Sequence, residues 1–128
     1  MFLENFDPLK DPMIQIMDKE GNIVKPEWMP EISDEDIIKM YKLMRFSRLI
    51  DEKTLQYQRQ GRMLTYAPNL GQEATQVGSA SAMDPKDWAA PSFRELGIWL
   101  TKGAPLENIF LYWFGNEMGM HMPETVKM

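Results

Sequence analysis

An aromatic residue and an arginine stand together at Phe93-Arg94, shortly before Gly97, and a loop ending in Gly71-Gln72-Glu73-Ala74 precedes them. A guanidinium is a planar, permanently charged donor whose fork matches phosphate oxygens. With Ser92 as cap, Phe93 to Thr101 reads as a helix, which places Arg94 in a first turn whose free amides already favour anions. A diphosphate is the ligand that this combination suits. The plainer alternative is an ion pair of Arg94 with Glu95 or Glu73, and the residues alone leave both open.

Other chemistry finds little support. The single histidine, His121, sits among Met and Gly with no carboxylate or second His at ligand spacing, so neither a metal site nor a general base is expected there. No Gly-x-Ser-x-Gly occurs, and cysteine is absent, which removes disulfides, thiolate metal sites and a cysteine nucleophile. The cluster Glu31, Asp34, Glu35, Asp36 is explained by a helix start, where acidic side chains oppose the positive end of the macrodipole. No catalytic and no metal-binding residue is assigned.

The elements that must position Phe93 and Arg94 are mostly helices. Ser33 can cap a helix that opens at Asp34-Glu35-Asp36, and apolar residues at Ile37, Tyr41, Met44, Leu49 and Ile50 recur at near-helical spacing until Gly61 ends it. That is a helix of roughly seven turns. Arg48 lies one turn before Asp51 and Glu52, an arrangement that reads as helix ion pairing. A short extended piece and a loop follow at Gly61 to Leu70. Gln72 to Met83 reads as a second helix, with Ala74, Val77, Gly78 and Ala82 as a small-residue face suited to close packing on a neighbour or on a copy of itself.

Asp84 to Asp87 is a turn and Trp88-Ala89-Ala90 a short buried extended piece. Gly103 ends the helix that carries Arg94, and Pro105 opens a last one through Phe114. Its run Ile109 to Phe114 is apolar all round and must lie in a core or an interface. Gly115 to Pro123 reads as a loop with nothing to pack it down. Upstream, residues 1–32 form an extended arm with a possible small hairpin, from Met13-Ile14-Gln15-Ile16-Met17 through a turn at Asp18 to Asn22 and on to Ile23-Val24. Residues 33–128 form the helical part.

Composition sets the class. The chain has 128 residues, 44% hydrophobic and 26% charged, with a net charge of −5, which describes one ordinary folded domain at most. The acidic balance argues against a nucleic-acid partner, which would need clustered Lys and Arg. Acidic residues near Met1 and the lack of a long apolar run argue against a signal peptide and a membrane span, and cytoplasmic location is expected. The 12 methionines suit a soft core or an adaptable interface.

From about Met13 to Pro123, the order and spacing of Leu64 to Gly78 and of Asp87 to Gly97 resemble the alpha subunits of E1 components of 2-oxo acid dehydrogenase complexes, pyruvate dehydrogenase above all. The resemblance implies that Arg94 binds the diphosphate of thiamine diphosphate and that Phe93 lies beside its aminopyrimidine or the substrate. Phe93 stands where relatives more often carry Tyr, and Leu96 where many carry His. The loop Tyr66 to Leu70 corresponds to the family's 2-oxo acid pocket, with Asn69 and Leu70 as the candidates to line it. The family's Gly-Asp-Gly motif and Asn pair, which hold magnesium and diphosphate, do not occur here.

The implied fold is the mainly α N-terminal part of an α/β thiamine diphosphate-binding fold, whose doubly wound parallel sheet would lie mostly beyond the chain end. The implied activity is oxidative decarboxylation of pyruvate on thiamine diphosphate, with acyl transfer to the lipoyl group of E2. The implied partners are the E1 beta subunit, a second E1 alpha and the E2 lipoyl acyltransferase, in a heterotetramer of two alpha and two beta chains. The 128 residues alone are expected to be inactive, as a truncated or natural fragment. A non-catalytic helical dimerisation module and a branched-chain 2-oxo acid relative are the alternatives.

Overall fold

The computed structural model describes residue 7 and residues 9–128; residues 1–6 and 8 of the expected arm lie outside the described residues. The chain divides into two compact units, Met1–Ser33 and Asp34–Met128.

In the first unit the Asp18 carboxylate accepts hydrogen bonds from the Glu20 and Asn22 amides and from the Asn22 side chain. This closes a turn through Gly21, whose φ of 89° favours glycine. Met17 and Ile23 then face each other in one antiparallel bridge, and no ladder extends from it. Pro26 opens a short 3-10 turn, Pro26–Trp28, with the Lys25 ammonium 5.6 Å from the Trp28 ring centre. Leu9, Met13, Met17, Ile23 and Val24 are all exposed, and none of the described residues of this unit is buried.

The second unit is helical. Its helices are α1 (Asp34–Arg59), α2 (Glu73–Ser81), α3 (Leu96–Thr101) and α4 (Leu106–Trp113), followed by a 3-10 turn at Glu117–Met120. No strand occurs among the described residues, and none of their helices is long and apolar enough to cross a membrane. The acidic first turn of α1 and its end before Gly61 agree with the sequence pattern, but the buried face does not follow the apolar one. Ser47, Ile50, Asp51 and Thr54 are buried, whereas Ile37, Tyr41 and Leu49 are exposed. Asp51 meets polar partners from later in the chain, and Thr54 donates back to the Ile50 carbonyl of its own helix.

Two further expectations are corrected. Arg48 does not pair along its own helix: its Nε and Nη2 reach both carboxylate oxygens of Glu73 on α2, at 2.5 and 2.9 Å. A two-pronged bond across helices is better matched to the guanidinium fork than a one-turn pair. On α2 the packed face is Glu73, Gln76, Val77 and Ala80, while Ala74 and Ala82 are exposed. The small residue that permits close approach is instead Gly97 on α3. A Cβ there would lie 2.8 Å from the Gln76 Cβ and 3.3 Å from a Val77 methyl.

The core joins Ile50, Leu96, Ala104, Ile109 and Val126, with Trp99, Leu100, Phe110 and Trp113 packed around them. Gly103, at φ 84°, ends α3 as its sequence position indicates, and Pro105 precedes α4. Trp88 is exposed rather than buried; only Ala89 of that piece is inside, its amide bonded to the Lys127 carbonyl at 3.0 Å. Within residues 115–123, Gly119 is buried against α4, while most of its neighbours stay exposed. The 3-10 turn lies on α4 so tightly that a Cβ on Gly119 would fall 2.1 Å from the Tyr112 nitrogen.

Candidate functional site

Leu96 is the first residue of α3, so Phe93 and Arg94 belong to a bend before the helix and not to its first turn. Glu95 causes this. Its carboxylate accepts the amides of Ser92 and Arg94 at 2.7 and 3.0 Å, taking the role expected of a Ser92 cap and turning the chain before the helix begins. The helical placement of Arg94 is thereby corrected, and a helix of six residues adds little field of its own. Any attraction for an anion comes from the guanidinium.

Arg94 is exposed and forms no ion pair among the described residues; its guanidinium carbon lies 5.8 Å from the Phe93 ring centre. Both alternatives weighed from the sequence fail for clear reasons. Glu73 is occupied by Arg48, which with the Gly71 amide holds its carboxyl at about 2, well below the ordinary range. Glu95 is turned to backbone amides.

Phe93, 69% exposed, stands at the rim of a cleft of about 340 Å³ that Tyr66, Trp99, Tyr112 and Trp113 also line, together with Glu95. That is the lower end of the size range of small-molecule sites, and its aromatic walls suit a planar ring. Tyr66 and Trp113 meet edge to face with ring centres 5.0 Å apart, which fixes the floor. Arg94 is beside the cleft and not part of its lining.

Beneath the bend is a polar cluster that the sequence pattern did not disclose. The carboxylate of Asp51, 2% exposed, accepts the Tyr66 hydroxyl and the Asn69 amide, each at 2.6 Å. Burial first, and then the hydrogen bond and charge of Asp51, push the Tyr66 phenol far above its ordinary value, so it stays a donor. Asn69, 1% exposed, donates from its side chain to the Tyr66 oxygen and the Ala67 carbonyl and accepts from Gln76. With its amide so engaged, Asn69 can shape a pocket only through the course of the loop. Leu70 is 61% exposed and does not line the cleft. Asp51 was legible only as a helix-surface charge, because its partners lie 15 and 18 residues away.

Residues 41–127 match the family model described as dehydrogenase E1 component. The pyruvate dehydrogenase E1 component subunit alpha of Acholeplasma laidlawii is 54% identical over 111 residues, covering 87% of this chain and 32% of that protein. The subunits of the same name from Mycoplasma genitalium and Staphylococcus epidermidis are 40% identical over 115 residues and 35% over 117, covering 90% and 91% of this chain and again 32% of each relative. The chain thus spans about a third of the length of the curated relatives it matches.

Proposed function

The chain belongs to the dehydrogenase E1 component family, and from that premise we propose that it serves in a pyruvate dehydrogenase E1 alpha subunit, supplying part of the thiamine diphosphate site. The observation that carries the reading is the arrangement at the bend: an exposed guanidinium, without an ion pair among the described residues, next to an aromatic ring at the mouth of an aromatic cleft. Arg94 would hold the diphosphate through charge-assisted hydrogen bonds, and Phe93 would flank the ring system or the substrate. Bound there, the cofactor would supply the carbanion stabilisation that decarboxylation of a 2-oxo acid requires.

The residues of this chain bind and orient; none is assigned a proton transfer. Leu70 and the loop course set by Asn69 are the proposed contribution to the 2-oxo acid pocket. No group of three or more His, Cys, Asp or Glu side chains is placed to hold a metal ion among the described residues, and no residue of this chain is assigned to magnesium. The E1 beta subunit, a second E1 alpha and the E2 lipoyl acyltransferase are the proposed partners, in a cytoplasmic two-alpha, two-beta assembly. The exposed Ile37, Ile38, Tyr41 and Leu49 of α1 suit such contacts.

The test places the matched residues of this chain in the Acholeplasma laidlawii alpha subunit, in exchange for its own, and assembles the chimera with that organism's beta subunit. With thiamine diphosphate and magnesium, it should turn over pyruvate in preference to branched 2-oxo acids, measured by reduction of an artificial acceptor. A chimera that folds and assembles but neither binds the cofactor nor decarboxylates any 2-oxo acid would overturn the reading. The isolated 128 residues should show no turnover.

A further inference from the structure

The backbone that carries Arg94 is gripped at the Arg94 carbonyl and at the Leu96 and Gly97 amides. Gln76, 6% exposed, donates from Nε2 to the Arg94 carbonyl, while its Oε1 accepts the Gly97 amide at 2.7 Å. One side-chain amide therefore spans the turn. Asn69 fills the gap, its Oδ1 accepting the Leu96 amide at 3.4 Å and Gln76 Nε2 at 3.1 Å.

Each orientation in this set is determined. Reversing the Gln76 amide would set a donor against the Gly97 N–H and an acceptor against the Arg94 carbonyl. Asn69 cannot reverse either, because its Nδ2 faces the Ala67 carbonyl and its Oδ1 faces the Gln76 Nε2 donor. The Asp51 carboxylate is the fixed point: it orders Asn69 from the main chain and Tyr66 from the hydroxyl. Buried polar groups that are all satisfied define one geometry, whereas apolar packing of the same volume would tolerate several.

We propose that Gln76 and Asn69, anchored on Asp51, are positioning residues that set the direction of Arg94 by clamping the backbone of residues 94–97. The proposal rests on the reading of Arg94 as the diphosphate-binding group. It deepens that reading by explaining how a residue in a bend, without a helix turn to hold it, keeps one course. Loss of a network that served stability alone would lower the melting temperature without coupling to Arg94.

Two measurements decide it. In the isolated chain, Gln76→Met should speed amide exchange at Leu96 and Gly97 roughly tenfold or more, as expected for loss of one buried hydrogen bond, while Thr54 in α1 keeps its rate. Unchanged exchange at Leu96 and Gly97 refutes the clamp, whether or not the cofactor reading holds. In the assembled chimera, Gln76→Met and Arg94→Ala should each weaken thiamine diphosphate binding, and the double variant should be no weaker than Arg94→Ala, because the clamp acts through that side chain. Losses that multiply would refute the positioning role. A chimera that binds no thiamine diphosphate before any substitution would instead sink the cofactor reading, leaving the exchange result to decide the clamp. If Gln76→Met does not fold, Gln76→Glu replaces it: it keeps an acceptor for the Gly97 amide and removes the donor to the Arg94 carbonyl and to Asn69, so exchange should stay slow at Gly97 and quicken at Leu96, with the binding expectations as before. Unchanged exchange at Leu96 would refute the clamp.

Discussion

Gly97 is the point where α3 comes closest to α2, and adding one methyl there tests the packing directly. In Gly97→Ala the new Cβ would lie 2.8 Å from the Gln76 Cβ, 3.0 Å from its Oε1 and 3.3 Å from the Val77 Cγ2. The first atom is fixed to the α2 backbone, so rotamer change cannot relieve the clash and the helices must separate. Overpacking of this kind costs about 1–3 kcal/mol, against at most about 1 kcal/mol returned by the better helix propensity of alanine. A net loss of about 1–2 kcal/mol corresponds to roughly 5–10 °C in Tm for a domain near a hundred residues. The assay is thermal unfolding followed by circular dichroism, with Gly78→Ala as the paired control. Gly78 lies in α2 with nothing near a new Cβ, so that variant should match or slightly exceed the parent. A Gly97→Ala protein as stable as its Gly78→Ala counterpart would refute the close approach.

Three other outcomes follow from the same packing. Gly119→Ala meets main-chain atoms of Leu111 and Tyr112, so the 3-10 turn should lift from α4 at a cost of about 3 kcal/mol, seen as a lower Tm and a red shift in tryptophan emission as Trp113 loosens. Ile109→Ala, which empties a fully buried core position, should cost about 2–5 kcal/mol in urea unfolding. Glu73 has a folded value of about 2 against an ordinary 4.5, so its contribution is whole above 4.5 and disappears as the pH falls toward 2. The Tm gap between the parent and Glu73→Gln should accordingly be wide at pH 7 and close between pH 4.5 and 2; a constant gap would show that Arg48 is not the partner.

What the sequence revealed depended on whether the cause was local. The acidic opening of α1, the stop at Gly103 and Pro105 before α4 were readable because capping, glycine conformation and proline geometry act within a turn. Arg48 was misread because its partner Glu73 is 25 residues away. Asp51 looked like a surface charge for the same reason. The bend at Phe93-Arg94 escaped a reading based on Ser92 because Glu95, a residue further on, competes for the same amides. Residues 115–123 carried loop composition, and only the close fit of Gly119 on α4 shows why they are held. At the candidate site, the aromatic-arginine pair was visible in the chain, whereas the side chains that support it were not.

The most direct measurement compares two ligands in the assembled chimera: thiamine diphosphate and thiamine, titrated calorimetrically with and without Arg94→Ala. Removal of the guanidinium should weaken the diphosphate form at least roughly tenfold, as for loss of a charge-assisted hydrogen bond, and leave thiamine unchanged. Equal weakening of both ligands, or of neither, would contradict the assignment of Arg94 to the diphosphate.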